Sequence, residues 1–317
     1  RFQTCPYDNC WHDHGFGVGF GWGEMPIFYF VIVNYWCGES IAQLLRSLAQ
    51  DCTDQNYQIL IVNNSPEDRS LDSFAVKFAH CTILETGENL GFGRACNRAI
   101  AWVADRDPGA IVWLINPDAW LPAGTMAAAR SLLSQADWAI VGTAIDQPDG
   151  RPEFRGGRFD RRSGLIEPMT QEAPTDPKIQ PTDWVSGCSL LINLAAFRVL
   201  PQFDRRFFLY YEDFELCRRY ASQGYPVAIA PSLRVIHATS TVTGREPERK
   251  LRWSIGGYLL ALSIHGSRWA LIYRLARIVI SAIAQWPRQP TRSRAKLQGV
   301  ADAWQSGRST RNGSARR

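Results

Sequence analysis

Short apolar runs alternate with amphipathic stretches through the first half of the chain. The runs at 27–33 (IFYFVIV), 57–62 (YQILIV) and 110–115 (AIVWLI) are apolar throughout, which is the pattern of strands buried on both faces. Between them, 40–50 and 94–104 carry apolar residues at helical spacing. This alternation predicts an α/β domain with a mostly parallel central sheet flanked by helices.

The pattern becomes less regular in the second half. Residues 147–181 are rich in Pro, Gly and charge, and we predict a long loop there. Order returns with an apolar run at 184–193 and a helix over 213–222, followed by strand-like segments at 227–230 and 233–237. These elements are expected to complete the same domain.

The C-terminal part has a different character. Apolar runs between 251 and 286 are broken by Arg and His, so no window is long enough for a membrane-spanning helix. We predict two amphipathic helices at a membrane surface, with ordinary packing on the domain as the alternative. Residues 288–317 hold eight basic residues against one acidic residue, and we predict a disordered basic tail. The predicted organisation is a disordered leader at 1–26, an α/β domain at 27–245, a helical extension at 246–287 and the tail at 288–317.

Charge and cysteine content narrow the function classes. The net charge is +5, and removing the basic tail leaves the rest slightly acidic, which argues against nucleic acid as a partner. Several of the eight cysteines lie in apolar patterns, as reduced core thiols do, and no signal peptide is visible, so we expect a cytoplasmic protein. Cys5, Cys10, His12 and His14 fit no common zinc module, and a structural or disordered role is favoured over a metal site.

Polar residues follow three of the predicted strands, at Asn34, Asn63 and Asn116. Ligands of parallel sheets bind outside the carboxyl ends of the strands, so chemistry is expected in these loops. Asp118, in the sequence Asn-Pro-Asp, follows a buried strand and could bind a divalent cation that holds a diphosphate. An ordinary turn is the alternative reading.

Two further segments are candidate ligand sites. In 88–97 (ENLGFGRACN), glycines would let the backbone approach a ligand at a helix start, although a simple glycine turn explains the same letters. The candidates in this segment are Asn89, Gly91, Gly93, Arg94 and Asn97. His237 ends a strand pattern, where it is either structural or a metal ligand.

Glu212 and Asp213 open a helix directly after the apolar and aromatic run at 207–211. Acidic residues also serve as ordinary helix caps. One of them could act as a general base with a pKa tuned by its aromatic surroundings. Adjacent residues point about 100° apart on a helix and cannot flank one glycosidic bond, which counts against a two-carboxylate hydrolase.

Seven blocks occur in a fixed order: VIVNYW (31–36), IVNNSPEDRS (61–70), ENLGFGRACNRAI (88–100), INPDAWL (115–121), WVSGCSLLI (184–192), FDRRFFLYYEDFELCRR (203–219) and RVIHATS (234–240). Together they resemble glycosyltransferase family 2, especially its bacterial rhamnosyltransferase-like branch. The resemblance covers about two thirds of the chain. It implies a GT-A nucleotide-diphospho-sugar transferase fold at 27–245, with the C-terminal amphipathic helices as an addition.

The resemblance also implies an activity, namely inverting transfer of a sugar from a nucleotide-sugar donor to a glycan or lipid-linked glycan acceptor in cell-surface polysaccharide assembly. Rhamnose is the sugar that the branch suggests, and Mg²⁺ or Mn²⁺ is the implied cofactor. Asp118 resembles the family's metal-binding acid, with Asn116 in the first place of that motif, and His237 its additional ligand. Asp213 corresponds to the catalytic base, supported by Glu212. The enzyme would be cytoplasmic and peripheral on the inner face of the cell membrane.

By the same resemblance, Asn34, Tyr35, Asn63 and Asn64 line the nucleotide pocket, and Asn63 replaces the usual aspartate. The residues expected to face the acceptor or the donor sugar are Trp184, Ser186 and Gly187. A nucleotidyltransferase and a catalytically silent nucleotide-sugar-binding protein are the alternative functions. The first would need a Gly-rich basic loop after the first strand, and the amides at 63 and 116 keep the second open.

Overall fold

The computed structural model describes residues 26–52, 56–78, 80–133, 138–172, 178–238 and 246–313. The leader, including the Cys and His residues at 5, 10, 12 and 14, lies outside the described residues.

The first half alternates strands and helices as the apolar pattern predicts. Its elements are β1 (Phe28–Asn34), α1 (Gly38–Asp51), β2 (Tyr57–Asn63), α2 (Phe74–Lys77), β3 (Cys81–Glu85), α3 (Phe92–Ala104), β4 (Ile111–Ile115), β5 (Ala119–Trp120), α4 (Thr125–Leu133) and β6 (Ile140–Asp146). The second half contains β7 (Pro152–Phe154), β8 (Gly157–Asp160), β9 (Leu165–Pro168), β10 (Gln180–Pro181), β11 (Ser189–Asn193), α5 (Glu212–Ser222), β12 (Val227–His237), α6 (Pro247–His265), α7 (Arg268–Gln285) and α8 (Pro290–Gly313).

The strands β10-β12-β6-β11-β4-β1-β2-β3 form the main sheet in that order, with β5 and β7 paired at its margin. The pairs within β4-β1-β2-β3 are parallel, as is β6 with β12, whereas β11 runs antiparallel to both neighbours. The predicted mostly parallel sheet is therefore confirmed. Its carboxyl ends meet at one edge, where Asn34 and Asn63 are in register.

Two apolar cores cover the sheet, one on each face. Alternate residues of β1 belong to different cores, with Phe30 on the side of α1 and α4 and Val31 on the side of α3 and α5. Burial of both faces explains why the strand sequences are apolar without alternation. All six cysteines in the described part of the chain are free thiols, and five are buried, as expected for core residues.

The predicted long loop at 147–181 is wrong, because β7 to β10 lie within this segment. These strands have two to four residues, too few for a periodic pattern to show. Their pairing partners are also set by the fold: β7 pairs with β6, β10 pairs with β12, and β8 pairs with β9 in a separate hairpin. The two strand-like segments at 227–237 form one strand, β12, with an irregularity between Ala230 and Arg234.

The predicted disordered tail is also wrong for most of its length, since α8 extends over Pro290–Gly313. Asp302 accepts two hydrogen bonds from the Arg252 guanidinium on α6, at 2.6 and 2.8 Å. A Cβ at Gly299 would lie 2.5 Å from the Arg252 carbonyl oxygen, so the glycine lets the two helices approach closely. Tertiary packing on α6 thus stabilises a basic sequence whose own pattern gives no helix signal. No helix in the described residues is long and apolar enough to cross a membrane.

Candidate active site

An acid and a histidine meet at the edge of the sheet. The chain turns sharply after β4, where the amide of Ala119 donates to the carbonyl of Asn116. The short strand β5 then pairs with the end of β12, which places Ala119 opposite His237. As a result, Asp118 Oδ1 lies 3.2 Å from His237 Nε2, and both side chains are nearly buried.

The other ring nitrogen of this histidine also faces a carboxylate. His237 Nδ1 lies 3.0 Å from Glu153 Oε1 on β7. Burial alone would lower the pKa of His237, but its hydrogen bonds with Asp118, Cys188 and Glu153 raise that pKa to about 12. Both ring nitrogens thus face carboxylates, and a cation bound at Nε2 would replace the proton on that nitrogen.

The Asp118 and His237 pair fits a divalent cation. Two adjacent ligands of an octahedral ion lie about 3 Å apart, close to the observed separation of 3.2 Å. A carboxylate at the second ring nitrogen, here Glu153, is the usual partner of a metal-bound histidine. Among the described residues, no group of three or more His, Cys, Asp or Glu side chains is arranged to hold a metal. A cation at this pair would thus need oxygens from a phosphate or water, as Mg²⁺ commonly does.

The chain is strained just before the second pair of acids. Tyr210 and Tyr211 have positive φ angles of 72° and 67°, the left-handed region that costs a non-glycine residue about 1–3 kcal/mol. Packing with α6 holds this conformation, since a Cβ at Gly257 would lie 2.4 Å from the Tyr210 carbonyl oxygen. The turn fixes where α5 begins and so where Glu212 and Asp213 lie.

The two acids have different environments. Asp213 is partly exposed, and each of its oxygens accepts one backbone amide, from Gly187 at 2.8 Å and from Phe214 at 2.7 Å. Glu212 is buried, and its Oε2 has no partner within the described residues. Burial, with the nearby charge of Asp213, raises the pKa of Glu212 to about 8, and burial also raises the pKa of Asp213. The backbone amides of Gly187, Phe214 and Asp213 lower the pKa of Asp213, whereas only the Glu212 amide lowers that of Glu212, so the negative charge is better stabilised on Asp213.

The segment before β11 joins the base candidate to the metal pair. The Gly187 amide donates to Asp213, and the next residue, Cys188, accepts from the Asn116 amide at 2.8 Å. A Cβ at Gly187 would lie 3.4 Å from the Asp213 Cβ, so the glycine borders the acid directly. Ser186 Oγ accepts from the Cys188 amide at 3.2 Å and closes the turn.

Trp184, the third residue expected to face a sugar, lies deeper than the turn. Its ring is half-buried and packs against Phe154 and Phe214. A Cβ at Gly157 would lie 2.1 Å from the Trp184 indole nitrogen, so that glycine makes room for the ring. A contact between Trp184 and a sugar stays a prediction.

A cleft of about 360 Å³ opens where β1, β2 and β3 end. Its lining residues are Tyr35, Trp36, Asn64, Ser65, Pro66, Glu67, Gly87, Glu88 and Asn89. Three of these, Tyr35, Asn64 and Asn89, are residues that the sequence assigns to the donor. Trp36, just after the end of β1, has a positive φ of 56°, as Tyr210 and Tyr211 also have.

Asn34 and Asn63, also assigned to the nucleotide pocket, are buried instead of lining the cleft. Asn34 donates to Asn63 Oδ1 and to Asp68 Oδ2, both at 3.0 Å. Asn63 in turn donates to both carboxylate oxygens of Glu85, at 3.1 and 3.0 Å. These amides connect the ends of neighbouring strands and so shape the wall of the cleft.

The glycine-rich segment contacts protein where the sequence predicts a ligand. A Cβ at Gly91 would lie 2.3 Å from the Phe208 carbonyl oxygen, and one at Gly93 would lie 2.9 Å from the Phe203 Cβ. Asn97 donates to the Phe203 carbonyl at 2.9 Å and accepts from its amide at 2.6 Å. These contacts give the three residues a positioning role, because 203–208 leads into the turn before Glu212 and Asp213, and their contact with a ligand stays a prediction.

Arg94 is exposed in the first turn of α3, which leaves its predicted contact with the donor open. Sequence reasoning missed Glu153, which comes from the segment predicted as a loop and has no motif around it. It also missed Asp68, although the block at 61–70 contains this residue. The Ser70 amide donates to Asp68 Oδ1, and an Asp that bonds the backbone two residues later is a turn that the sequence could have indicated.

The fold and the site define a class of protein. A mostly parallel sheet carries an Asp and His pair, a base candidate and a cleft of about 360 Å³ at one edge. The chain belongs to glycosyltransferase family 2, since the sequence model described as Glycosyl transferase family 2 matches residues 29–189. The resemblance read from the seven blocks is confirmed, and the protein is a glycosyltransferase.

Characterised relatives point to one branch of this family. The chain is 30% identical to the N-acetylglucosaminyl-diphospho-decaprenol L-rhamnosyltransferase of Mycobacterium tuberculosis over 244 residues, covering 70% of this chain and 79% of the relative. It is 24% identical to the Rhamnosyltransferase WbbL of Escherichia coli over 222 residues, covering 66% of this chain and 82% of the relative.

Solved structures confirm the GT-A fold. The mannosyltransferase PcManGT of Pyrobaculum calidifontis, in complex with GDP-Man and Mn²⁺, matches with a TM-score of 0.56 at 15% identity, covering 89% of this chain and 87% of that one. GalNAc-T7, with UDP, GalNAc and Mn²⁺, matches with a TM-score of 0.57 at 16% identity, covering 76% of this chain and 48% of that one.

Proposed function

We propose that this enzyme transfers L-rhamnose from a nucleoside diphosphate to a hydroxyl of a lipid-linked glycan, with inversion at the anomeric carbon. The observation that carries the proposal is a pair of hydrogen bonds through two adjacent residues. The Gly187 amide donates to Asp213, and the Cys188 carbonyl accepts from the amide of Asn116, in the turn that holds Asp118. This connection supports a base and a diphosphate-binding pair that act together at the same edge of the sheet. The names of the two rhamnosyltransferase relatives support the choice of sugar.

Asp213 is suited to remove the proton from an acceptor hydroxyl. Each ionised carboxylate oxygen can accept two hydrogen bonds, and the amides of Gly187 and Phe214 use one on each. One position per oxygen is left for the acceptor. The same amides fix the orientation of the carboxylate, as a general base requires. Glu212 supports it as a buried neutral acid that adds no competing charge near pH 7.

Asp118 and His237 would hold Mg²⁺ or Mn²⁺ together with the donor diphosphate. When bound, such a cation offsets the charge that develops on the departing diphosphate. Glu153 holds the ring so that Nε2 faces Asp118, and Asn116 lies 3.4 Å from the same nitrogen. The two solved structures with Mn²⁺ support divalent-cation use in this fold.

The 360 Å³ cleft is assigned to the nucleoside part of the donor. Tyr35 and Trp36 present exposed rings there, which can stack on a base. Asn89 offers its amide NH2 group at the wall, and Arg94 presents its guanidinium to the donor phosphates. Asn64 is buried and shapes the wall, since its side chain donates to the Gly91 carbonyl and accepts from the Leu90 amide. Ser186 and Gly187, next to Asp213, would face the acceptor or the transferred sugar.

The acceptor proposed is a glycan carried on a lipid diphosphate, because the name of the mycobacterial relative gives an acceptor of that type. The enzyme would therefore act in cell-surface polysaccharide assembly, as a cytoplasmic protein bound peripherally at the inner face of the cell membrane.

The test is a panel of nucleotide sugars supplied with Mg²⁺ or Mn²⁺ and a short-chain lipid diphosphate N-acetylglucosamine acceptor. Released nucleoside diphosphate is scored, and nucleoside diphosphate L-rhamnose should give the highest rate. Asp213→Asn should reduce turnover by roughly 10²–10⁴-fold with donor affinity by calorimetry nearly unchanged. The matched control Asp149→Asn changes an acid in an exposed turn and should keep wild-type turnover.

Three outcomes would contradict the proposal. Retained turnover in Asp213→Asn would remove Asp213 as the base. Release of pyrophosphate would indicate a nucleotidyltransferase. Donor binding without release of any nucleoside diphosphate, from every donor and acceptor supplied, would indicate a silent binding protein.

A further inference from the structure

One face of α7 is exposed and apolar. Its side chains recur at helical spacing and are between 54% and 66% exposed; they are Trp269, Ile272, Tyr273, Ile280 and Ile283. The helix has 18 residues, so this face runs along nearly its whole length. Surface helices normally turn polar residues to solvent, and exposed apolar patches of this kind mark binding surfaces.

The opposite side of α7 is attached to the rest of the protein. Ala270 and Ala282 are buried. The Arg274 guanidinium donates to the Ser163 carbonyl at 2.9 Å, and Lys296 on α8 donates to Ser281 Oγ at 2.8 Å. The helix therefore has a fixed orientation, and its apolar face points away from the domain that holds it.

Basic residues are concentrated in the helical segment that carries the apolar face. Residues 249–301 contain ten Lys or Arg and no Asp or Glu. The Arg268 guanidinium lies 5.1 Å from the Trp269 ring centre, and that of Arg277 lies 5.6 Å from the Tyr273 ring centre. An apolar stripe with Trp and Tyr between arginines is the composition of a helix that lies in the interface of an anionic membrane.

We propose that the outer face of α7 docks on an anionic phospholipid surface, with the helix axis parallel to the bilayer. A second copy of the chain is a poorer occupant, because two such faces would bring arginines against arginines with no acidic residue between 249 and 301 to pair with them. The inference deepens the proposed function, since a lipid-linked acceptor resides in the same bilayer.

The docking helix is connected to the base through α6. Trp253 packs on Phe208 with ring centres 4.8 Å apart, and Tyr258 packs on Tyr211 at 5.5 Å. Tyr258 also donates to the Gly164 carbonyl at 2.6 Å, in the turn between β8 and β9 that holds α7 through Ser163. A bilayer under α7 would therefore have a fixed position relative to the start of α5.

The experiment is co-sedimentation of the full-length protein with two kinds of vesicle, one of phosphatidylcholine alone and one with added phosphatidylglycerol. Wild type should bind the anionic vesicles and bind less as salt is raised. The double variant Ile280→Asp with Ile283→Asp should lower the partition coefficient at least about tenfold. Ile272→Asp, placed toward the other end of the face, is an independent second variant.

Val199→Asp is the matched control, because it places the same charge at an apolar residue that is 79% exposed outside α7. It should bind vesicles as wild type does. Circular dichroism should be unchanged in all variants, since the replaced side chains are exposed. Light scattering of the free protein reports whether the face joins two copies.

Equal binding of wild type and the α7 variants to anionic vesicles would overturn the proposal, and so would equal binding of wild type to neutral vesicles. A wild-type dimer that the double variant turns into a monomer would assign the face to a second copy. None of these results depends on turnover. A failure of nucleoside diphosphate release would contradict the proposed function and leave the vesicle result standing.

Discussion

Replacing Glu212 by glutamine should stabilise the protein at alkaline pH. The carboxyl is buried, has an oxygen without a partner among the described residues, and lies beside Asp213. Burial first, and the charge of Asp213 second, raise the pKa of Glu212 from 4.5 to about 8. The folded protein therefore binds this proton more tightly than the unfolded chain does, and glutamine keeps the shape of the neutral acid.

The sign and size of the effect follow from that pKa. A raised pKa in the folded state gives stability that is fully present below pH 4.5 and is lost as the pH rises to about 8. At about 1.4 kcal/mol for each pH interval of one, the loss could reach about 5 kcal/mol. Glu212→Gln should lack this loss.

The assay is urea unfolding of wild type and Glu212→Gln at several values between pH 5 and pH 9. The free energy of unfolding should agree closely at pH 5 and favour the variant increasingly up to pH 8. The matched control Glu167→Gln alters a half-exposed carboxyl on the β8–β9 hairpin and should shift stability by less than about 0.5 kcal/mol at every pH. A pH-independent difference for Glu212→Gln would refute the reasoning, because it would mean that this carboxyl is ionised in the folded protein at every pH measured.

Two other substitutions test the positioning of the site. Gly91→Ala should slow turnover strongly and lower thermal stability, because the residue has φ of +79° and its Cβ would lie 2.3 Å from the Phe208 carbonyl oxygen. The control is Gly124→Ala, which has φ of +83° and open space, and equal effects of the two would contradict a role for the Phe208 contact. Glu153→Gln removes the carboxylate at His237 Nδ1 and should weaken Mn²⁺ binding by about 10–100-fold. The affinity is measured by direct titration of the protein with Mn²⁺ in the absence of turnover. An unchanged affinity would show that Glu153 does not support the metal site.

The sheet and its ligand edge could be predicted from sequence because the information is local. Each strand of the parallel part is a short apolar run, and the polar residue that follows it marks the carboxyl end, as Asn34 and Asn116 do. Asp118, His237 and Asp213 could be proposed from motifs, since each lies in a block that resembles the family, and their roles stay predictions. The structure then brings Asp118 and His237 to 3.2 Å, a distance that no spacing within the chain reveals.

The partly buried contacts between distant segments could not be predicted. Gly91 and Asn97 contact a segment more than 100 residues later, so their letters suit a ligand loop equally well. Glu153 reaches His237 from a strand of three residues, which has no periodicity. In α8, Asp302 supplies the ion pair to Arg252 that fixes a basic helix on α6, and this partner too is set by tertiary structure alone.

The anomeric configuration of the product tests the central claim most directly. Wild-type enzyme is supplied with the donor that releases the most nucleoside diphosphate and with the short-chain lipid diphosphate acceptor, and the isolated product is analysed by proton NMR. A base at Asp213 acting in one displacement predicts a product whose anomeric configuration is opposite to that of the donor. A product that keeps the donor configuration would contradict the account, because it requires either two displacements or attack from the side of the leaving diphosphate.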